Sequence, residues 1–484
     1  MQLTPESVFS IFAEINKIPR PSGKEEKMTQ FLIEFGQKLG LETRRDEVGN
    51  VVIKKPATAG MESAPGVILQ SHMDMVCEKN ATLDFDFDND AIQTYIDGEW
   101  LTANGTTLGA DDGIGCAMQM AVLVDDNIKH GPLECVFTVD EERGLTGAEA
   151  LKPDFMEGDY LINLDSEDEG EIFVSCAGGA NTTAKFPFSE EAVPEDAYAF
   201  KVSVKGLTGG HSGDDIIKKR ANANKLIIRF LCQILEHTEV RLVDIQSGGL
   251  HNAIPREGFA VAVISNSERD WLSATFNQYV AAVEKEFEVT EKDLHLELTS
   301  VSVPSKAQTF EQTCRFVQAL NAVHNGVFSM SQTIENFVET SSNLASIHKT
   351  EEGIVVVTSQ RSSLMSNREN VSAVVRSAFV LGGATYVKTG EGYPGWETNP
   401  NSKLVKIAVE TYKSLFDKNP KVLGIHAGLE CGLFSVKYPH LDMISIGPTL
   451  RGVHSPDEKL LIPTVDLVWR HLLLLLEELG KLVK

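Results

Sequence analysis

Apolar residues recur at helical spacing in SVFSIFAEINKI (7–18) and in EEKMTQFLIEFGQKLG (25–40), whose closing Gly suits a helix end. Between and after them come short apolar runs: GNVVIKK, PGVILQ (65–70), LECVFTV and DYLINL (159–164). These runs do not alternate strictly, and helical segments such as LGADDGIGCAMQMAVLVDD separate them. That texture predicts strands of a largely parallel sheet covered on both faces. After residue 183 the texture changes. AFKVSVKG (199–206), ANANKLIIRFLCQILEH, FAVAVIS, RDWLSATFNQYVAAVEKEF and LHLELTSV read as an α+β unit. A helix near 311–322, the strands ETSSNLASIHK and GIVVVTSQRSS, and a helix near 369–381 extend it. The chain turns irregular at GEGYPGWETNPNS (390–402), then resumes helix, loop and strand up to a leucine-rich last helix. The expected fold is therefore α/β, a mainly parallel-sheet domain interrupted by an inserted α+β domain. The expected boundaries are 1–183, 184–391 for the insertion, and 392–484.

The length of 484 residues supports this division, because one core rarely serves so long a chain. Net charge is -25, from 44 basic and 69 acidic residues, which argues against a nucleic-acid partner and suits a protein that concentrates cations. The 7 cysteines are scattered without a CxxC pair, as in a reduced cytoplasmic protein. The first residues, MQLTPESVFS, carry no signal-peptide pattern, and the run HLLLLLEEL is too short to span a bilayer. No membrane partner is expected.

Candidate chemistry collects where the apolar runs end. PGVILQ runs into SHMDM, LECVFTV into Asp140, Glu141 and Glu142, and DYLINL into Asp165. In a parallel sheet such positions lie beyond the carboxyl ends of strands, where sites form. Taken singly each has an ordinary explanation: a strand-end His72, a helix-capping Asp111 or Asp112, a solvated Asp165, a turn His454. Taken together, His, Asp and Glu from five segments form a zinc-type ligand set, and a cation would offset the repulsion among adjacent acids. In HxD the two side chains point the same way on a strand, so Asp74 can hold the second ring nitrogen of His72. Glu141 and Glu142 point in different directions, so one can ligate while the other stays free as a base. GLTGGHSG lacks the GK[ST] ending of a phosphate loop.

HMD, GADDGIG, TVDEERGLTGA, NLDSED and GVHSPDE, in this order, resemble the dinuclear zinc exopeptidases that include aminoacylase, peptidase T and carboxypeptidase G. KPATAGM, GTTLGADDGIG, CAGG, KGLTGGHSG, HNAIPRE, YPGW, HAGLECGLF and SIGPTLRGVHSPDE resemble one branch, the bacterial aminoacyl-histidine dipeptidases, which are carnosinase-like in activity. The resemblance implies a zinc-exopeptidase catalytic domain with an inserted lid and dimerisation domain. It implies two divalent ions, zinc by ligand type, with cobalt or manganese as substitutes. His72, Asp111 and Asp165 would hold one ion, and Asp111, Glu142 and His454 the other. Glu141 would be the general acid/base and Asp74 would orient His72. His211 would reach the active site of a partner subunit, making the protein a homodimer. Asn252 and Arg361 would bind substrate, Arg361 by clamping the terminal carboxylate of a dipeptide. Many relatives have Lys after the paired aspartates; this chain has Gly113. His426 and Glu430, in what reads as a Gly-rich loop, are further substrate-binding candidates, Glu430 for the free amino group. The implied activity is hydrolysis of Xaa-His dipeptides, including β-Ala-His. The alternative is an N-acyl amino acid deacylase using the same site.

Overall fold

The computed structural model describes residues 3–484. They form two compact units. One comprises 1–175, 396–424 and 429–484, and the other 176–395 with 425–428.

The first unit is built on an eight-stranded sheet. Its centre is parallel: Val67–His72 lies between Leu133–Thr138 and Tyr160–Asn163, and Tyr160–Asn163 pairs in turn with Asp442–Ser445. Every residue of Val67–His72, Leu133–Thr138 and Tyr160–Asn163 is buried. That explains the unbroken apolar runs: both faces of these strands are covered, so neither face selects for polarity. Towards the rims the pairing turns antiparallel. Val51–Lys55 lies against Leu133–Thr138, Glu42–Arg45 lies outside it, and Glu171–Cys176 borders Asp442–Ser445. The helix Ala110–Val124 packs on Val67–His72 and on the helix Glu6–Ile15. The helix Ile462–Gly480 packs on Lys403–Phe416, burying Leu472, Leu475, Leu476 and Leu479. The leucine run is thus a core stripe. Among the described residues, no helix is long and apolar enough to cross a membrane.

The second unit carries a nine-stranded sheet whose main path runs from His295–Ser300 at one edge to Tyr386–Thr389 at the other. The pairings along it are antiparallel. Its core joins Phe200, Val202 and Val204 of the strand Ala197–Lys205 to residues of the helices Ala223–Leu235, Arg269–Glu286, Phe310–Ala322 and Met365–Leu381. Phe186 meets Phe316 and Phe379 edge-to-face, with centroids 5.2 and 5.7 Å away.

Candidate metal centre

The ligand candidates of the first unit converge from five segments. His72 is the last residue of its strand, and its Nε2 lies 3.1 Å from Asp111 Oδ1 and 3.3 Å from Asp165 Oδ1. His454 Nε2 lies 3.2 Å from Asp111 Oδ2 and 3.0 Å from Glu142 Oε2. Two three-residue groups result, His72–Asp111–Asp165 and Asp111–Glu142–His454, each with ligand atoms within 4.8 Å of one another. Asp111 belongs to both and turns one oxygen to each.

Local backbone geometry makes this convergence possible. Asp111 and Asp112 depart from helical dihedrals at the start of Ala110–Val124. Asp140 and His454 sit in the left-handed region, with φ of 50° and 61°. Non-glycine residues there are strained, and such strain gathers at functional sites. Asp140 lies outside these two groups. It accepts from Arg143 Nε at 2.6 Å and from Thr146 Oγ1 at 2.5 Å, closing the turn that carries the next two acids. Asp74 is fully buried; its carboxylate lies 3.4 Å from His72 Nδ1 and accepts the backbone N–H groups of Glu141 (3.1 Å) and Glu142 (3.3 Å). It therefore ties the histidine to the acidic turn. With Nδ1–H directed at Asp74, Nε2 of His72 is left as the free donor atom.

The electrostatics describe a site made for cations. Burial pushes Asp165 up to about 7 and raises Glu142 and Glu141 above the usual carboxylate range. Burial opposes the charge on Asp111 too, but its contacts with His454 and His72 outweigh it and hold its pKa low. Contacts with Asp111 and Glu142 push His454 up to about 11. Without an ion, protons on the imidazoles offset the acids; a divalent cation would replace them. Glu142 Oε1 is buried and has no hydrogen-bond partner, as expected of an oxygen reserved for a ligand. Imidazole nitrogen and carboxylate oxygen are the donors zinc-type ions take, so the residues present fit two ions.

Three supporting residues were not recognisable from the motifs. Glu458 is 2% exposed, and its carboxylate accepts backbone N–H groups from Leu108, Gly109, Ala110 and Asp111 at 2.7, 3.0, 2.8 and 3.4 Å. It fixes the turn that presents Asp111. Its only sequence signal was its place at the end of GVHSPDE, four residues after His454. Arg20 is buried and donates to the carbonyls of Met73, Asp74 and Gly109 at 3.3, 3.0 and 2.5 Å, joining the His72 and Asp111 segments. Gln70 links Asn163 to Glu430 beneath His72.

Glu430 opens the helix Glu430–Lys437 and does not lie in a Gly-rich loop. It is fully buried, and its Oε2 accepts from Gln70 Nε2 at 2.5 Å and Thr138 Oγ1 at 2.8 Å. Burial pushes its pKa up to about 8. Its hydrogen bonds go to the two strands that lead to His72 and to Glu141.

The remaining candidates belong to the second unit. His211 Nε2 lies 3.4 Å from Arg361 Nη2 of the same chain, and its Nδ1 lies 3.3 Å from the Asp214 N–H. Asn252 adjoins it, its carbonyl accepting the Ser212 N–H at 2.8 Å, while His211 bridges Ala253. Arg361 is 6% exposed and donates through Nη1 to Tyr393 Oη at 2.9 Å. His426 is buried with Nε2 2.7 Å from Ser341 Oγ; burial, with Arg361 nearby, pushes it down to about 3 and keeps it neutral.

The chain matches the model of Peptidase family M20/M25/M40 over residues 68–478. It is 44% identical over 478 residues to the cytosol non-specific dipeptidase of Escherichia coli strain K12, covering 99% of this chain and 98% of that protein. The crystal structure of aminoacylhistidine dipeptidase from Vibrio alginolyticus superimposes with a TM-score of 0.92 at 43% identity, over 99% of this chain and 97% of the other. The aminopeptidase PepT of Bacillus cereus, at 17% identity and a TM-score of 0.58 over 99% of this chain and 100% of that one, shares the fold. This chain belongs to peptidase family M20/M25/M40 and is a metallopeptidase, a hydrolase of peptide bonds with a catalytic and a lid domain.

Proposed function

We propose that the protein hydrolyses dipeptides with a free amino terminus, Xaa-His and β-Ala-His among them, using two divalent ions, zinc by donor type. The observation that supports this most is Asp111, whose two carboxylate oxygens face His72 and His454 separately. Two ions, when bound, acidify a water and polarise the scissile carbonyl. The chain's own groups do the rest. Glu141, kept basic by burial, takes the proton of the attacking water on a carboxylate oxygen and delivers it to the leaving amine. Asp74 keeps the proton of His72 on Nδ1. His211, reaching the active site of a partner subunit, stabilises the developing oxyanion there. Arg361, with Asn252 and His426 as further contacts, holds the terminal carboxylate, which favours short substrates. Action as a homodimer in the cytoplasm belongs to the same proposal.

The test is metal content and hydrolysis on one purified sample, before and after chelation, with Ala-His, β-Ala-His and N-acetyl-Ala. The proposal expects two ions per chain and cleavage of the free-amine dipeptides that chelation removes and zinc restores. Cleavage of N-acetyl-Ala alone would replace the dipeptidase with a deacylase.

A further inference from the structure

Three segments with no part in the metal centre, CAGG (176–179), YPGW (393–396) and HAG (426–428), meet around one side chain, the phenol of Tyr393. A Cβ built on Gly179 would lie 2.9 Å from Cζ and Oη of Tyr393, and one on Gly428 would lie 2.9 Å from its Cε2. The ring therefore sits against two backbones at positions where only glycine leaves room. The backbone of Tyr393 is fixed as well. It exchanges hydrogen bonds with Gly179 at 2.9 and 3.1 Å, and its carbonyl accepts from Arg368 Nη1 at 2.5 Å.

What this cradle holds in place is a hydroxyl against Arg361. A guanidinium has donors only, so in the 2.9 Å contact Nη1 donates and the phenol oxygen accepts. The phenol's own proton must then go elsewhere, and no other residue described meets that oxygen. Arg361 is in the same condition: it is 6% exposed, yet its Nε–H has no partner. Unsatisfied donors on a buried cation are costly, and this one, beside a half-buried phenol with a proton to give, points to an acceptor supplied from outside. A carboxylate oxygen is such an acceptor.

We propose that Tyr393 is a specificity-determining residue, a second donor to the terminal carboxylate of the substrate, aimed by Arg361 and held by Gly179 and Gly428. The inference rests on the assignment of Arg361 as the carboxylate clamp. Tyr393 then adds direction. Its proton reaches an acceptor but repels the N–H₂ face of a carboxamide, sharpening the choice of free acid over amide.

The experiment compares Ala-His with its C-terminal amide on the metal-loaded enzyme, for wild type, Tyr393→Phe, Gly428→Ala and Arg361→Ala. Tyr393→Phe keeps the ring in its cradle and removes only the hydroxyl. The expected result is about a tenfold loss of the acid-over-amide preference in kcat/KM, carried by KM for the acid, on the order of one hydrogen bond to a charged group. Gly428→Ala, which displaces the ring, should lose preference in the same direction. Arg361→Ala should lose more. If Arg361→Ala erases the preference while Tyr393→Phe keeps it, the Tyr393 proposal is wrong and the clamp stands. If wild type shows no preference, or Arg361→Ala leaves it intact, the clamp itself fails and Tyr393 with it.

Discussion

Glu458→Gln isolates the support of the metal centre from its ligands. The carboxylate of Glu458 accepts three backbone N–H groups at 2.7 to 3.0 Å and a fourth at 3.4 Å, all from 108–111. Hydrogen bonds to a charged group are worth about 1.5–3 kcal/mol each, so the three short ones amount to about 5–9 kcal/mol. Against this stands the cost of burying the charge, visible in the pKa of Glu458, which burial raises despite those bonds. The net loss on breaking such a buried set is about 3–5 kcal/mol. A Gln keeps one acceptor and turns an N–H₂ towards donors, so the loss should fall in that range. In the ion-free protein the thermal midpoint should drop by on the order of 10 °C. Because Asp111 is the residue being released, zinc affinity measured by calorimetry should fall at least about tenfold at both sites, as for other changes behind ligands. Unchanged zinc affinity with a lowered midpoint would show that Glu458 holds the helix start but not the ligand. Both unchanged would refute the reasoning outright.

Asp111→Asn should weaken both ions, since the two groups share it; loss of one ion alone in a metal titration would contradict the shared role. Glu141→Gln should lower turnover of Ala-His by about 10²–10⁴-fold with both ions retained, and surviving activity would assign the base elsewhere. His471, buried with Nε2 2.9 Å from the Ala408 carbonyl, is pushed down to about 4 by burial. Its folded pKa lies below its unfolded value, so the folded form refuses a proton that the unfolded chain accepts. The resulting stability is intact above pH 6.5 and declines by up to about 3 kcal/mol as pH falls towards 4. Urea unfolding of the ion-free protein should show a shallower pH slope in that window for His471→Gln, and parallel curves would refute it.

The sequence determined the apolar runs, and with them the parallel centre of the first sheet, because strands covered on both faces leave an unmistakable pattern. It also marked the candidate ligands. His72, Glu141, Glu142 and Asp165 are legible because each ends or directly follows such a run. The residues that hold functional candidates in place left no such mark. Glu458, Arg20 and Tyr393 act through backbone carbonyls, amide groups or a single neighbouring side chain, and those partners are defined only once distant segments meet. Glu430 read as part of a Gly-rich loop, yet it ends beneath the candidate ligands, because the strands carrying Gln70 and Thr138 close over it. Periodicity records which face of an element is buried. Which polar groups are buried with it, and to whom they are bonded, is decided only by the tertiary fold.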